Sequence, residues 1–249
     1  MTRRIHRTVK TAGRPSGATA VEAANFLRSV ADPRHAALLQ RYFKTGPGEY
    51  GAGDRFLGIR LPAIRRTVTR FVSLSHSQLA RLLRSRWHEE RMLALLIMVR
   101  RYRRGDAEER DHIFDLYLQN LERVNNWDLV DLSAPNIIGA HLSGGDSTLI
   151  VELARSESVW KRRMAVLSTF HDIQSGKFKT ALRLAAMLLG DEHDLMHKAT
   201  GWMLREIGKR DREVEERFLR KYVKRMPRTM LRYAIERFPD SLRRSYLNA

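Results

Sequence analysis

The sequence contains no cysteine, and this absence excludes several kinds of chemistry at once. Disulfide bridges, cysteine-ligated zinc fingers and thiol catalysis all need a cysteine side chain. Long hydrophobic runs are missing as well, because the longest ones, such as residues 92–99, are far shorter than the ~20 residues of a membrane-spanning helix. The two-residue alternation of β-strands is nearly absent too. These gaps predict a helical protein that does not enter a membrane.

Acidic residues are few relative to basic ones. Asp and Glu number 28 against 46 Lys and Arg, so the formal net charge is +18. Such an excess attracts polyanions, and the phosphate backbone of a nucleic acid is the commonest of them. A ribosome-associated factor or a member of a generally basic proteome would carry a similar charge. The basic residues are spread along the chain instead of confined to a tail, which favours a long binding surface.

The composition divides the sequence into two parts. Residues 1–19 combine basic side chains with a Gly/Pro/Ser stretch around Pro15, and we expect a flexible basic segment that is not a signal peptide. Residues 20–249 are expected to form a single HEAT-like repeat domain that binds DNA. The expected location is therefore the cytoplasm, in association with the nucleoid.

In the second part, apolar residues recur at steps of three and four, which predicts one helix after another. The predicted helices span residues 21–30, 33–44, 60–73, 76–85, 88–103, 107–121, 127–142, 146–154, 158–173, 178–189, 193–209, 212–224, 227–237 and 240–247. Short polar breaks make neighbouring helices antiparallel, and helix pairs recur at roughly 35–40 residues. The predicted fold class is all-α, an α–α superhelix of stacked antiparallel HEAT-like helix pairs. The glycine-rich residues 45–55 are predicted to form a mobile or sharply turned loop.

Residues 125–135 form the most informative stretch of the sequence. Asn126 is suited to cap a helix that begins at Trp127, and Asp131 then shares a helix face with that tryptophan. Pro135 has no N–H to donate to the carbonyl of Asp131, which predicts a kink. An aspartate paired with a neighbouring arginine, next to a tryptophan of the core, would have the same pattern.

A second stretch places a cation on an apolar helix face. Arg163 falls on one stripe with Trp160, Leu167 and Phe170. A guanidinium in such surroundings needs a carboxylate or a phosphate as its partner. A salt bridge between repeats is the structural alternative to phosphate binding.

A third stretch surrounds a tryptophan with cations. Lys198, Trp202, Arg205 and Lys209 fall on one helix stripe, which is a poor core but a suitable face for a nucleic acid. Gly201 is expected to leave room beside the Trp202 ring. A solvated face is the alternative interpretation.

His193 and His197 have the spacing of a zinc-protease motif, with Asp194 after the first histidine. A zinc hydrolase needs a third ligand and a competent base, and neither is evident in the sequence. Asp191 and Glu192 instead suit the start of a helix. We therefore expect no metal site.

Together these stretches resemble the AlkD-type DNA alkylation repair glycosylases, a family with a HEAT-like fold. The resemblance runs from about Tyr42 to Arg205, and the order and spacing of its motifs carry it. The motifs are Phe-Leu-Gly-Ile at 56–59, Trp-Asp-Leu-Val-Asp at 127–131, Trp-Lys-Arg-Arg at 160–163 and Gly-Trp-Met-Leu-Arg-Glu at 201–206.

The resemblance implies a role for each of several residues. Asp131 would be the catalytic carboxylate, and Trp127 and Trp202 would flank the damaged nucleotide. Arg163 would hold a nearby phosphate, and Tyr42 takes the place of an aromatic on the helix that approaches the minor groove. The further candidates for DNA binding are Lys161, Lys198, Arg205 and Lys209.

The implied function is excision of cationic alkylated purines of the 3-methyladenine or 7-methylguanine type. Such a base is already a good leaving group, so a carboxylate and π-density beside the oxocarbenium-like sugar suffice, without metal or redox cofactor. The expected partner is duplex DNA with alkylated bases, bound by a monomer. A non-catalytic protein for branched or distorted DNA and a protein scaffold are the rival hypotheses. Two departures from the family, the length of the 45–55 loop and the non-aromatic Asp194-Leu195, favour keeping the first rival open.

Overall fold

The computed structural model describes residues 18–248, and within that range it contains helices but no β-strand. One isolated bridge pairs Arg55 with Trp87. Residues 1–17, which make up most of the predicted basic segment, lie outside the described residues, as does Ala249. Thr19, the last residue assigned to that segment, caps the first helix.

The observed α-helices agree closely with the predicted ones. They are α1 (Ala20–Ser29), α2 (Pro33–Tyr42), α3 (Leu61–Phe71), α4 (His76–Leu83), α5 (His88–Arg104), α6 (Ala107–Leu118), α7 (Trp127–Ser133), α8 (Ile138–Leu142), α9 (Thr148–Ala154), α10 (Val159–Gln174), α11 (Lys179–Met187), α12 (Asp194–Gly208), α13 (Arg212–Tyr222), α14 (Arg228–Ala234) and α15 (Asp240–Leu247). Single 3-10 turns follow several of them, at Leu121–Arg123, Ala134–Asn136, Val223–Arg225 and Ile235–Arg237.

Side-chain caps explain why many helices begin where they do. Thr19 and Glu22 form a capping box, in which each side chain accepts a hydrogen bond from the other residue's backbone N–H. Asp32 and Asp106 cap α2 and α6 with carboxylates that accept hydrogen bonds from backbone N–H groups of the first turn. These groups satisfy backbone donors that have no partner inside the helix.

The helices pack into an α–α superhelix, as predicted. In one row, α3, α5, α7, α10, α12 and α14 each pack against the next, and α4, α6, α9, α11 and α13 pack against members of that row. Buried aliphatic side chains such as Leu93, Leu129 and Leu167 fill the interior between the helices. The residues singled out on α7, α10 and α12 therefore lie on one continuous layer.

The predicted helix over 127–142 is interrupted as expected from its proline. α7 ends at Ser133, a 3-10 turn spans Ala134–Asn136, and α8 begins at Ile138. The missing N–H of Pro135 and its ring prevent a regular helix through this point. The break separates the helix that carries Trp127 and Asp131 from α8.

Gly201 lies at the contact between α12 and α14. A methyl group at Gly201 would overlap the Met230 carbonyl oxygen and lie 2.6 Å from Cβ of Tyr233. The glycine thus permits the close approach of α12 and α14.

Within residues 18–248, no helix combines the length and the apolar character needed to cross a membrane.

Candidate functional site

A cleft lined with aromatic rings brings together several of the predicted site residues. Its volume is about 330 Å³, and it lies where the end of α2, the 45–55 loop, α7, α10, α12 and α14 meet. The residues that line it are Tyr42, Tyr50, Trp127, Arg163, Leu195, Lys198, Trp202 and Tyr233. Both tryptophans that the sequence analysis placed beside a nucleotide therefore line one cavity.

Trp127 is held by a column of stacked rings. Phe43 stacks on Trp127 with ring centroids 5.0 Å apart, and Phe56 stacks on the other face of this pair, 4.8 Å from Phe43. His88 packs beside both phenyl rings, 4.4 Å from Phe56 and 5.4 Å from Phe43. Tyr42 meets the Trp127 ring edge-on at 6.0 Å and is largely exposed. The column fixes the indole plane from behind and leaves a flank of it in the cleft.

Asp131 forms a bidentate ion pair with Arg163. Nε and Nη2 of Arg163 each donate to one carboxylate oxygen over 2.8 Å, and Nη1 donates to the Leu195 carbonyl over 2.6 Å. The guanidinium is buried, while the carboxylate is about one-fifth exposed. Burial raises the pKa of Asp131 above its usual value, against the opposing effect of Arg163. The sequence predicted either a carboxylate or a phosphate as the partner of Arg163, and the structure shows a carboxylate, that of Asp131.

Asp131 also lines a second, mostly apolar cavity of about 480 Å³. Trp127 lines both cavities, whereas Asp128 and Leu132 line only the apolar one together with Asp131. The carboxylate and the indole of Trp127 therefore share the apolar cavity, and Arg163 links the carboxylate to the aromatic cleft.

The other predicted cations are each paired with a carboxylate. Lys198, the only one of them in the cleft, pairs with Asp194 over 2.7 Å. The remaining pairs are Lys161 with Glu122, Arg205 with Glu236 and Lys209 with Glu206. Lys161, Arg205 and Lys209 do not line the cleft. Their role in DNA binding stays a prediction.

Glu206 connects Trp202 to this set of charges. Trp202 Nε1 donates to Glu206 Oε1 over 3.2 Å, and Lys209 and Arg210 pair with the same carboxylate. Although burial opposes it, these donors lower the pKa of Glu206. The indole of Trp202 is thereby oriented by a hydrogen bond at its nitrogen, while Phe170 lies 6.1 Å from the ring.

Tyr50 is a cleft residue that the sequence analysis missed. It lies on the glycine-rich loop, meets the Trp160 ring edge-on at 6.0 Å, and burial raises its pKa. The loop is sharply turned, because Gly48 and Gly53 adopt φ of +77° and +82°. The sequence did contain a signal for this residue, because Tyr50 is the sole aromatic among residues 45–54.

A buried polar network anchors the end of this loop. His88 Nδ1 donates to Asp54 and Nε2 donates to Asp128, each over 2.8 Å. Arg91 and Asn126 also donate to Asp54, over 2.7 Å and 3.2 Å. Burial disfavours the charged forms of His88 and Asp54. The two carboxylates nevertheless raise the pKa of His88 to about 9. His88 and Arg91 lower the pKa of Asp54 to about 2. The network therefore joins the loop to the first turn of α7.

Glu89 explains the Phe-Leu-Gly-Ile motif at 56–59. Its buried carboxylate accepts hydrogen bonds from the backbone N–H groups of Leu57, Gly58 and Ile59 over 2.8–3.1 Å. Gly58 has φ of +84°, and a side chain there would overlap the Asp32 carbonyl oxygen at the start of α2. The motif thus positions α2, whose last residue is Tyr42, beside the cleft.

The two histidines with zinc-protease spacing have structural partners. His193 caps α12 through Nδ1, which accepts from the Leu195 N–H over 3.2 Å, and His197 Nε2 contacts the Asp191 carbonyl. In the described part of the chain, a cluster of His76, Glu109 and His112 brings possible ligand atoms within 4.8 Å of one another. Arg101 donates to both His76 and Glu109 there, so its positive charge occupies the position that a cation would need. This cluster is not among the residues that line the cleft.

Comparison with known proteins identifies the family. The family model described as "DNA alkylation repair enzyme" matches residues 23–238. The chain belongs to the DNA alkylation repair enzyme family. Membership supports a role in the repair of alkylated DNA, with DNA as the substrate. The cleft residues from Tyr42 to Tyr233 all fall inside the matched range.

The fold of this family member is also seen in a solved structure, "Predicted DNA alkylation repair enzyme from Enterococcus faecalis". The similarity has a TM-score of 0.66 at 18% sequence identity, and it covers 84% of this chain and 97% of that one. At this identity the likeness establishes the α–α superhelical fold alone. No curated protein sequence matches the chain.

Proposed function

We propose that this member of the DNA alkylation repair family is a DNA glycosylase that excises cationic alkylated purines. The observation that carries the proposal is the joint placement of Trp127 and Trp202 in one cleft, with Arg163 linking that cleft to the Asp131 carboxylate. Two indole faces and a carboxylate are the groups that a cationic base and a sugar becoming cationic would need.

The reaction is hydrolysis of the N-glycosidic bond. An alkylated purine leaves as a neutral base and takes the bonding electrons with it, so the positive charge moves to the sugar. Asp131 stabilises that oxocarbenium-like sugar and orients the attacking water, whose oxygen bonds to the anomeric carbon while its surplus proton passes to the solvent. Trp127 and Trp202 contribute cation–π attraction on the order of 1–2 kcal/mol each when desolvated.

Arg163 acts in this proposal as a positioning residue. Its bidentate contact fixes both oxygens of Asp131, and each oxygen keeps a second lone pair for water or for the sugar. The Leu195 carbonyl fixes Nη1, so the guanidinium is itself held in place. The carboxylate is thereby presented in one orientation before the substrate arrives.

The decisive experiment measures bases released from methylated duplex DNA by mass spectrometry. Asp131→Asn should lower the rate of release by roughly 100- to 1,000-fold while the duplex Kd changes little, because the variant keeps the shape but loses the charge. Asp115→Asn, on the exposed side of α6, is the matched control and should leave the rate unchanged. Thermal melts of both variants check folding, since the buried Arg163 loses its charged partner. Equal release by Asp131→Asn and wild type would remove Asp131 from the reaction.

A second set of variants tests the indoles. Trp202→Ala should lower release by about tenfold, consistent with one desolvated cation–π contact, and should weaken duplex binding less than that. Trp87→Ala is the control, because it removes a partly exposed indole that does not line the cleft and lies against Arg86. A loss of release that only follows a loss of affinity would assign Trp202 to binding alone.

Non-catalytic binding of branched or distorted DNA is the second candidate function. Its supporting observation is that both oxygens of Asp131 are already engaged by Arg163. Tight binding of a branched duplex, with no release of any methylated base, would favour it over the glycosylase.

A further inference from the structure

A groove of arginines lies away from the aromatic cleft, between α3 and α5. Its volume is about 510 Å³. It is lined by Arg65, Arg100, Arg103 and Arg104, together with Val68, Leu96, Val99, Leu132 and Asn136. Of the residues that the structure describes, no acidic one lines it.

The arginines of this groove differ from the cations predicted to bind DNA. Among residues 18–248, Arg163, Arg205 and Lys209 are each paired with a carboxylate, whereas the four groove arginines make no such pair. Within the described part of the chain, Arg100 donates to the Thr69 hydroxyl and Arg103 to the Asn136 amide oxygen, and neither donates to a carboxylate. Their charge is thus available to an external anion.

The same helix shows that this lack of pairing is local. Arg91 and Arg101 of α5 do have carboxylate partners, Asp54 and Glu109. Glu109 lines a neighbouring hollow with Arg100, but its carboxylate is paired with Arg101 over 2.6 Å. The groove therefore keeps a concentration of uncompensated positive charge on one stretch of the helix row.

The position of the groove connects it with the candidate site. Leu132 lines both the groove and the apolar cavity that contains Asp131, and Trp127 lines that cavity and the aromatic cleft. Groove, cavity and cleft thus adjoin one another along α3, α5, α7 and α12. The negative charges of a long, rigid polyanion bound at the cleft would therefore also reach the cavity and the groove.

We propose that the groove formed by Arg65, Arg100, Arg103 and Arg104 binds phosphodiester groups of the DNA duplex and supplies a main part of the affinity for the backbone. This proposal rests on the proposed function in one respect, which is that duplex DNA is the source of the phosphates. Guanidinium groups suit phosphate oxygens because their N–H donors match them in pairs. Thr69 and Asn136 hold two of the arginines without neutralising their charge.

The test uses the full chain and a fluorescein-labelled undamaged duplex, with Kd measured by fluorescence anisotropy over a range of salt concentrations. Arg65→Gln combined with Arg104→Gln removes two exposed side chains that have no hydrogen bond within the described residues. We expect roughly tenfold weaker binding at low salt, and a slope of log Kd against log salt that falls by about 2, one for each lost phosphate contact.

The matched control removes the same charge from elsewhere. Arg217→Gln combined with Arg220→Gln neutralises two exposed arginines of α13 that pair with Glu213 and Glu216. This control should leave the salt slope unchanged. Equal losses in both double variants would show an effect of net charge alone and would overturn the groove, as would an unchanged slope in Arg65→Gln/Arg104→Gln.

A competition arm separates the polymer from a free anion. Inorganic phosphate at matched ionic strength should displace the duplex no better than chloride does. Stronger displacement by phosphate would assign the groove to a free phosphate and overturn the assignment to DNA. Because every arm measures binding of undamaged DNA, failure of the groove and failure of base release give separate results.

Discussion

His88 connects several parts of the structure behind the cleft. It is buried, it joins Asp54 of the loop to Asp128 of α7, and it packs against Phe43 and Phe56, the rings behind Trp127. Only the protonated imidazole donates from both nitrogens, so the two carboxylates require the charged form. The contacts of His88 with both carboxylates therefore depend on its protonation.

This dependence predicts how stability changes with pH. The pKa of His88 is raised from 6.5 to about 9, so its contribution to the free energy of unfolding is complete below about pH 6.5 and is lost as pH rises through 9. Asp54, with its pKa lowered from 3.8 to about 2, contributes above pH 3.8 and loses that contribution only as pH falls through 2. The difference in unfolding free energy between wild type and His88→Gln should therefore shrink from pH 6 to pH 10.

Urea melts at several pH values measure that difference, and titrating groups that do not interact with His88 cancel because both proteins carry them. His112→Gln, at an exposed position, is the control and should differ little from wild type throughout. A gap between His88→Gln and wild type that stays constant to pH 10 would contradict a charged His88.

At the scale of helices, the packing of α12 on α14 depends on a glycine. Gly201 lets the backbone of Met230 and Cβ of Tyr233 approach, and both Trp202 and Tyr233 reach the cleft from this contact. Gly201→Ala should destabilise the protein by about 1–3 kcal/mol, because the backbone must move to admit the methyl group. Thermal denaturation measures the loss.

Gly190→Ala provides the comparison for that substitution. A Cβ at Gly190 meets no atom within 4 Å, so this change should stay within about 0.5 kcal/mol of wild type. If both alanines had the same small effect, the close approach of α12 and α14 would not be needed for folding.

At the scale of the whole molecule, the net charge of +18 sets the response to salt. If the duplex is held by several phosphate contacts, each releases a counterion, and the slope of log Kd against log salt should exceed about 4 in magnitude. Anisotropy titrations of wild-type protein with undamaged duplex give that slope. A flat response would favour the protein-scaffold hypothesis over any DNA-binding function.

Much of the candidate site followed from local sequence pattern. The helix at Trp127, its cap at Asn126 and the break at Pro135 were all predicted, because caps and prolines act within a few residues. Periodicity likewise predicted the α–α superhelix. Periodicity predicts which face of a helix a residue lies on, however, and does not predict which carboxylate a basic side chain will contact.

What the sequence determined by itself was therefore the class of fold, the positions of the helices and the kinds of residue available for chemistry, since propensity, capping and periodicity are short-range effects. Only the tertiary structure decided the pairings. Arg163 meets Asp131 across 32 residues, and His88 meets Asp54 across 34. Packing of distant helices also decided which cations are neutralised. Among residues 18–248 it left the arginines between α3 and α5 without carboxylates, because charge compensation depends on distance in space and not along the chain.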